Sequence, residues 1–254
     1  MSTAVGIDIG GTGIKGALVD LDSGTLITDR RKISTPEGGE PGPIIDAVVE
    51  MMSGFEEIDD DTPVGVCFPA VVRHGRTMSA ANVSDEWIGV EAEKRFEDAL
   101  GRDIHFVNDA DAAGIAEARY GAARGTDGLV IMTTLGTGIG TALINNGILV
   151  PNAELGHLEI DGVDWETVAS NGAREREELD WETWAERLQR FYRRLESLFS
   201  PELFVVGGGV SKNHEQFLPL LDLETRIVPA ELKNNAGLMG AARLARPEET
   251  QRPA

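Results

Sequence analysis

Cysteine is almost absent: Cys67 is the only one in 254 residues. An internal disulfide is therefore impossible, as is a multi-cysteine zinc or iron–sulfur site within one chain. A lone thiol fits a reducing cytoplasm. Lysine is scarce too, with Lys15, Lys32, Lys94, Lys212 and Lys233 set against 18 arginines and 43 acids. No apolar run approaches the roughly 18 residues that a membrane span needs. No basic-then-apolar leader opens the chain, so a cytoplasmic protein off the membrane is expected. The formal charge of −20 repels anionic partners at low ionic strength, which argues against nucleic-acid binding. Acid-rich, lysine-poor composition is shared by proteins of salt-loving cells, where a Debye length of about 3 Å at 1 M screens such repulsion. Acidic mesophilic proteins share it as well, and both readings stay open. An apolar content of 41% suits one large globular domain or two lobes with cores of their own.

What is present is a repeat. Residues 11–19 read Gly-Thr-Gly-Ile-Lys-Gly-Ala-Leu-Val and residues 136–144 read Gly-Thr-Gly-Ile-Gly-Thr-Ala-Leu-Ile, with six of nine positions identical at an offset of 125. An internal duplication leaves such a trace, and two glycine loops facing across a cleft would grip an anion through backbone N–H groups. Alternating apolar residues predict strands at 4–8 and 14–20, a third run from 25 to about 33, and a second meander at 128–135, 140–145 and 148–150. Helical spacing falls at 43–55, 88–100, 110–120, 181–199, 212–221 and 236–246, with strands at 64–68, 103–107 and 203–207 between. The stretch 161–180 lacks periodicity and reads as an irregular connection, and 246–254 reads as a frayed tail. The mixture predicts an α/β layer architecture.

Gly11 to Gly16 matches the GxGxxG pattern, but that fingerprint opens a helix and 14–20 alternates as a strand. No Gly-Lys-Ser/Thr follows as in a Walker loop. A β-hairpin phosphate loop remains, beside the plain reading of a tight turn. Subtracting 125 pairs Thr133 with Asp8 and Gly140 with Lys15, so only the first loop carries an acid and a cation. Asp8 suits Mg²⁺, directly or through water. Lys15 suits a transferred phosphoryl group, or is a solvated strand lysine. Asn108-Asp109-Ala-Asp111 runs from a strand into a helix. Asn108 or Asp111 is a candidate N-cap, and Asp109 a candidate general base for an attacking hydroxyl. Asn152-Ala-Glu154-Leu-Gly-His157-Leu-Glu159 gathers side chains that can read sugar hydroxyls, or is a surface or metal-binding segment. Gly207-Gly208-Gly209 ends an apolar strand, where a ligand can approach closely or the chain merely turns.

Together these pieces resemble the ROK family of sugar kinases, within the actin/hexokinase superfamily. Asp8 to Lys15 looks like its first phosphate motif, Leu135 to Gly140 its second, Asn108-Asp109 its catalytic pair, and Glu154-Leu-Gly-His157 its sugar signature. Ala80-Ala-Asn82-Val-Ser-Asp-Glu-Trp-Ile-Gly89, Asn108 to Gly114 and Val150 to Glu159 look like the branch that phosphorylates glucose with inorganic polyphosphate, often with ATP as well. The resemblance covers about residues 4–246. It implies an α/β, duplicated actin/hexokinase-like (ribonuclease H-like) fold of two lobes with a central cleft. The N-terminal lobe would be 1–108 with a C-terminal helix at about 236–254, and the C-terminal lobe 109–235. It implies that Asp109 deprotonates the glucose 6-hydroxyl and that Asn82, Asn108, Asp109, Glu154, His157 and Glu159 hold the sugar. The donor would lie on Gly10, Gly11, Thr12, Gly13, Lys15, Gly136, Thr137, Gly138, Gly208 and Gly209, with Mg²⁺ at Asp8, in a homodimer. Many members carry a His/Cys₃ zinc site. Residues 158–180 hold no cysteine, so no zinc is expected. Some relatives are repressors with an N-terminal DNA-binding domain, and with the first strand at about residue 4 no such domain is expected. Trp181, Trp184, Leu188, Tyr192, Leu195 and Phe199 fall on one face of the 181–199 helix, and Arg187, Arg190 and Arg194 on another. The arginines form a rail for a polyanion or a solvated face balancing acids. The competing activities are an ATP-dependent hexokinase for glucose, mannose or fructose, and a non-catalytic sugar-binding regulator.

Overall fold

The computed structural model describes residues 2–246, and the expected tail beyond 246, with the end of the expected C-terminal helix, lies outside the described residues. In chain order the elements begin with β1 (Thr3–Ile9), β2 (Ile14–Asp20), β3 (Arg31–Ile33), α1 (Pro41–Ser53), β4 (Val64–Phe68), β5 (Val72–Arg73), β6 (Arg76–Thr77), α2 (Ala92–Leu100), β7 (His105–Asn108) and α3 (Asp109–Tyr120). They continue with β8 (Leu129–Leu135), β9 (Ile139–Asn145), β10 (Ile148–Val150), β11 (Glu159–Ile160), β12 (Val163–Asp164), α4 (Glu166–Ala169), α5 (Asn171–Arg176), α6 (Trp181–Phe199), β13 (Leu203–Gly207), β14 (Arg226–Pro229) and α7 (Ala236–Leu244). Two units divide the chain: residues 2–116 with 235–246, and residues 117–234.

The duplication is visible as topology. The first unit has a five-stranded sheet ordered β3-β2-β1-β4-β7, and the second a five-stranded sheet ordered β10-β9-β8-β13-β14. In each, a meander of three antiparallel strands is extended by two parallel strands. β1 and β8 bury their residues in the same order, with Asp8 and Thr134 as the matching half-buried positions. Asp8 faces Lys15 and Thr134 faces Gly140. The counterpart of Asp8 is therefore Thr134, not the Thr133 that subtraction gives, because Gly10 is one extra residue in the first hairpin. Thr133 is buried, and its hydroxyl shares a 2.6 Å hydrogen bond with the Tyr192 hydroxyl.

In the first unit the odd residues of β1 face a core of α1 and α2 side chains, including Ile44, Val48 and Met51, around the aromatic cluster Phe68, Trp87, Phe96 and Phe106. Its even face is nearly bare. Gly6 and Gly65 stand side by side on β1 and β4. A Cβ on Gly6 would lie 1.8 Å from the Leu238 carbonyl oxygen and one on Gly65 1.8 Å from that of Ala241. This glycine floor lets the α7 backbone lie directly on the sheet. In the second unit α6 follows an N-cap in which Asp180 accepts from the Thr183 N–H at 2.8 Å. It buries Trp184, Leu188, Tyr192 and Leu195 against β8 and β13.

Three local expectations are corrected. The run 25–33 is a strand only at Arg31–Ile33, because the Thr28 hydroxyl takes the Leu18 N–H at 3.1 Å where a ladder carbonyl would be. The expected helix 212–221 is two 3₁₀ segments, Gly209–Gln216 and Leu218–Leu220, kinked at Asn213, with Pro219 unable to continue an α-helical ladder. The irregular 161–180 contains α4 and α5, too short to show periodicity, with Ser170 capping α5 through the Ala173 N–H at 3.1 Å.

Candidate active site

The first hairpin turns through Gly10-Gly11-Thr12-Gly13 and is closed by the Gly10 N–H donating to the Gly13 carbonyl at 3.1 Å. The Thr35 hydroxyl donates to the Gly10 carbonyl. Thr12 is exposed at the tip. Asn82, in the left-handed region at φ 60°, lies against the loop, since a Cβ on Gly11 would stand 2.6 Å from its carbonyl oxygen. Its neighbours are anchored by the fully buried Trp87, whose indole donates to the Gly39 carbonyl at 2.9 Å. One turn of ladder below the loop, Lys15 Nζ contacts Asp8 Oδ2 at 2.9 Å, with the side chains 25% and 16% exposed. The pair is thus largely out of water. The Cys67 thiol donates to Asp8 Oδ1 at 3.6 Å. Gly237, in the first turn of α7, abuts the same carboxyl, as a Cβ there would lie 3.0 Å from Asp8 Cγ.

Asn108 ends β7 buried. Its amide donates to the Ala70 carbonyl at 3.0 Å, and its Oδ1 accepts from the N–H groups of Ala110 and Asp111 at 2.8 and 3.0 Å. Asn108 is therefore the cap of α3, and one amide hydrogen remains for a ligand. Asp109 follows, half-buried, with Oδ1 accepting from the Ala110 N–H at 2.8 Å. Burial pushes the Cys67 thiol well above the usual range, and the Asp8 and Asp109 carboxylates push it further. Asp8 pairs with Cys67 across β1 and β4, and Cys67 with Val107 across β4 and β7, two residues before Asp109, which puts the candidate metal ligand and the candidate base at the same end of one sheet.

The second unit assembles the other group. Its hairpin, Gly136-Thr137-Gly138, closes through the Gly136 N–H and the Gly138 carbonyl at 3.0 Å. Gly208, at φ 83°, packs on the strand end before it, where a Cβ would stand 2.3 Å from the Leu135 carbonyl oxygen, and Gly209 follows exposed. Gly156 explains the Glu-Leu-Gly-His spacing. A Cβ there would lie 2.1 Å from the Ile139 carbonyl oxygen, so only glycine lets this turn press on the start of β9. Thr141 fixes the turn by donating to the Ala153 carbonyl and accepting from the Leu155 N–H at 3.0 Å.

His157 Nδ1 lies 2.9 Å from Asp164 Oδ2, and Nε2 lies 4.0 Å from Glu166 Oε1. The bond to Asp164 raises the imidazole above its ordinary value, helped by the charges of Glu166, Asp164 and Glu154 and opposed by partial burial. Partial desolvation raises the Glu154 carboxyl, although the residue is exposed as a whole. Glu166 also accepts the Ile139 N–H at 2.6 Å and crowds Gly138, so it ties the imidazole to the hairpin. Asp164 and Glu166 were not singled out from the sequence. They sit in the segment without periodicity, and nothing in residue spacing marks them. Glu159 faces Asp164 across the β11–β12 ladder and is exposed, with no hydrogen bond or ion pair among the described residues.

Two of the three α6 arginines are paired with nearby acids. Arg187 pairs with Glu177 at 2.7 Å, and Arg190 pairs with Asp161 over the Trp165 ring, leaving Arg194 exposed. They are not a free basic rail.

The two matching sheets, each with its glycine hairpin, make a duplicated, actin/hexokinase-like fold. Residues 4–178 match the ROK family, and the chain belongs to it. The polyphosphate glucokinase of Mycobacterium tuberculosis is 44% identical over 238 residues, 93% of this chain and 89% of that one. Among solved structures, the inorganic polyphosphate/ATP-glucomannokinase from Arthrobacter sp. strain KM superposes with a TM-score of 0.92 at 50% identity, covering 98% of this chain and 100% of that one. A ROK family glucokinase from Streptomyces griseus, solved with glucose and AMPPNP, gives a TM-score of 0.79 at 27% identity, covering 96% and 99%.

Proposed function

We propose that this chain transfers the terminal phosphoryl group of inorganic polyphosphate, and also of ATP, to the 6-hydroxyl of glucose. The carrying observation is the likeness, along nearly the whole chain, to a polyphosphate glucokinase and a polyphosphate/ATP-glucomannokinase. The site chemistry supports it. Asp109, fixed by its bond to the Ala110 N–H, accepts the hydroxyl proton as the O–P bond forms. Lys15 and the amides of Gly10 to Gly13 face the charge that develops on the donor, with Gly136, Thr137, Gly138, Gly208 and Gly209 as further donor contacts. Asn82, the free amide hydrogen of Asn108, Glu154, His157 and Glu159 hold sugar hydroxyls. With Nδ1 engaged by Asp164, Nε2 is the imidazole atom left for a ligand.

Magnesium fits these residues. Among the described residues no three of His, Cys, Asp and Glu converge as a metal cage. Phosphate-bound Mg²⁺ does not need one, because it keeps several waters and takes one or two carboxylates with phosphate oxygens. Asp8 would hold it, directly or through water, and when bound it neutralises phosphate charge. The reading extends to a zinc-free cytoplasmic homodimer that binds neither nucleic acid nor membrane. Among the described residues no helix is long and apolar enough to cross a membrane.

A coupled assay with glucose, mannose and fructose, each against polyphosphate and ATP, tests the reading. Turnover of glucose with polyphosphate is expected, and mannose is the favoured second acceptor given the glucomannokinase likeness. Turnover with ATP alone would leave an ATP-dependent hexokinase, and sugar binding without turnover a regulator.

A further inference from the structure

The strand beside the first hairpin carries a second lysine that the reaction above leaves without a role. Lys32 lies on β3, the edge strand, directly opposite Lys15, which is itself opposite Asp8. Residues opposed across a ladder project to one face with Cβ atoms about 4.5–5.5 Å apart. Asp8, Lys15 and Lys32 therefore form a row running to the edge of the sheet. Asp8 neutralises Lys15. Lys32 is exposed and makes no hydrogen bond or ion pair among the described residues, although acids outnumber basic residues 43 to 23. Its stem crosses the loop, since a Cβ on Gly13 would stand 3.0 Å from Lys32 Cε and 4.0 Å from Nζ. The adjacent arginines are committed elsewhere. Arg30 donates to Asn235 Oδ1 at 2.8 Å, and Arg31 donates to the Gly54 carbonyl and lies over the Phe55 ring. Like charges opposed across a ladder weaken it, so the surplus ammonium at this edge is a feature that an anion over the loop would relieve.

Resting on the reading of this hairpin as the donor site, we propose that Lys32 binds the donor at a phosphate beyond the one transferred, and that this contact favours a chain of phosphates over a nucleoside triphosphate. The row leads outward from Lys15 to an open strand edge, where an unbranched polyanion continues past Lys32. A nucleotide has fewer charges beyond the transferred group and a nucleoside to serve as a second anchor, so it depends less on this ammonium.

Lys32→Gln and Lys32→Arg test the proposal in two ways. In steady state, Lys32→Gln should raise KM for polyphosphate about tenfold, the loss of one charge-assisted hydrogen bond. KM for ATP should rise less, and KM for glucose and kcat should stay within about twofold. Lys32→Arg keeps the charge and should stay near wild type. Calorimetric titration with tripolyphosphate, which needs no turnover, should show the same weakening in Lys32→Gln. A tripolyphosphate affinity and a polyphosphate KM both within twofold of wild type overturn the contact, and an equal rise for ATP and polyphosphate overturns the selectivity. If the wild type turns over no polyphosphate yet Lys32→Gln weakens tripolyphosphate binding, the proposed reaction fails and the contact stands.

Discussion

At the residue scale, the proposed function rests on a few polar side chains whose surroundings constrain them. Asp109→Asn keeps the shape at the start of α3 but cannot accept a proton. It should lower kcat by about 10²–10⁴, the usual contribution of a general base, while calorimetry shows glucose binding largely intact. Turnover close to wild type would remove Asp109 from that role. His157 gives a pH signature. Its folded value lies above the ordinary 6.5, chiefly through the Asp164 bond. The stabilisation is therefore fully present below about 6.5 and is lost as pH rises through the folded value. An NMR titration of the imidazole should show the raised midpoint, and Asp164→Asn should bring it back toward 6.5; an unchanged midpoint would mean that another group sets it. Asp8, Lys15, Asn108, Asp109, Glu154 and His157 were legible as candidates because each adjoins a glycine turn or a strand end. Asp164 and Glu166 were not, because what makes them relevant is distance to His157 and Ile139, which no local pattern encodes.

At the element scale, glycines decide which backbones touch. Gly6 and Gly65 hold the even face of the first sheet open for α7, and α7 in turn brings Gly237 against Asp8. Gly65→Ala should destabilise the protein by about 1–3 kcal/mol or more, because the new methyl meets backbone and not a yielding side chain. Urea unfolding of the variant reads this, and a stability equal to wild type would mean that α7 does not lie on the sheet as described. Strands and long helices were legible wherever periodicity ran for a full element, as at Ile14–Asp20 and Trp181–Phe199. They were not where a side chain replaced a ladder bond, as Thr28 does for Leu18, or where helices were too short to repeat. The extra residue Gly10 was also hidden, because strand register, not sequence offset, reveals it.

At the scale of the whole molecule, the repeated loop peptide announced a duplication that the two matching sheet orders display in full. The duplication is symmetric in topology and asymmetric in chemistry. The first hairpin keeps an acid and a lysine, whereas its counterparts are Thr134 and Gly140. Net charge is the other global property. A chain at −20 meeting a polyanion is subject to long-range repulsion. At low ionic strength, where the Debye length is about 30 Å, kcat/KM for polyphosphate should be depressed, and it should rise with added salt before local contacts weaken. A steady fall from the lowest salt upward would show that local cations outweigh the net charge. The most direct measurement is product identification by ³¹P and ¹³C NMR after incubating the protein with glucose, Mg²⁺ and polyphosphate, with no nucleotide present. Glucose 6-phosphate as the single sugar phosphate is the expected result. No sugar phosphate, in a preparation that forms one with ATP, would contradict polyphosphate as donor.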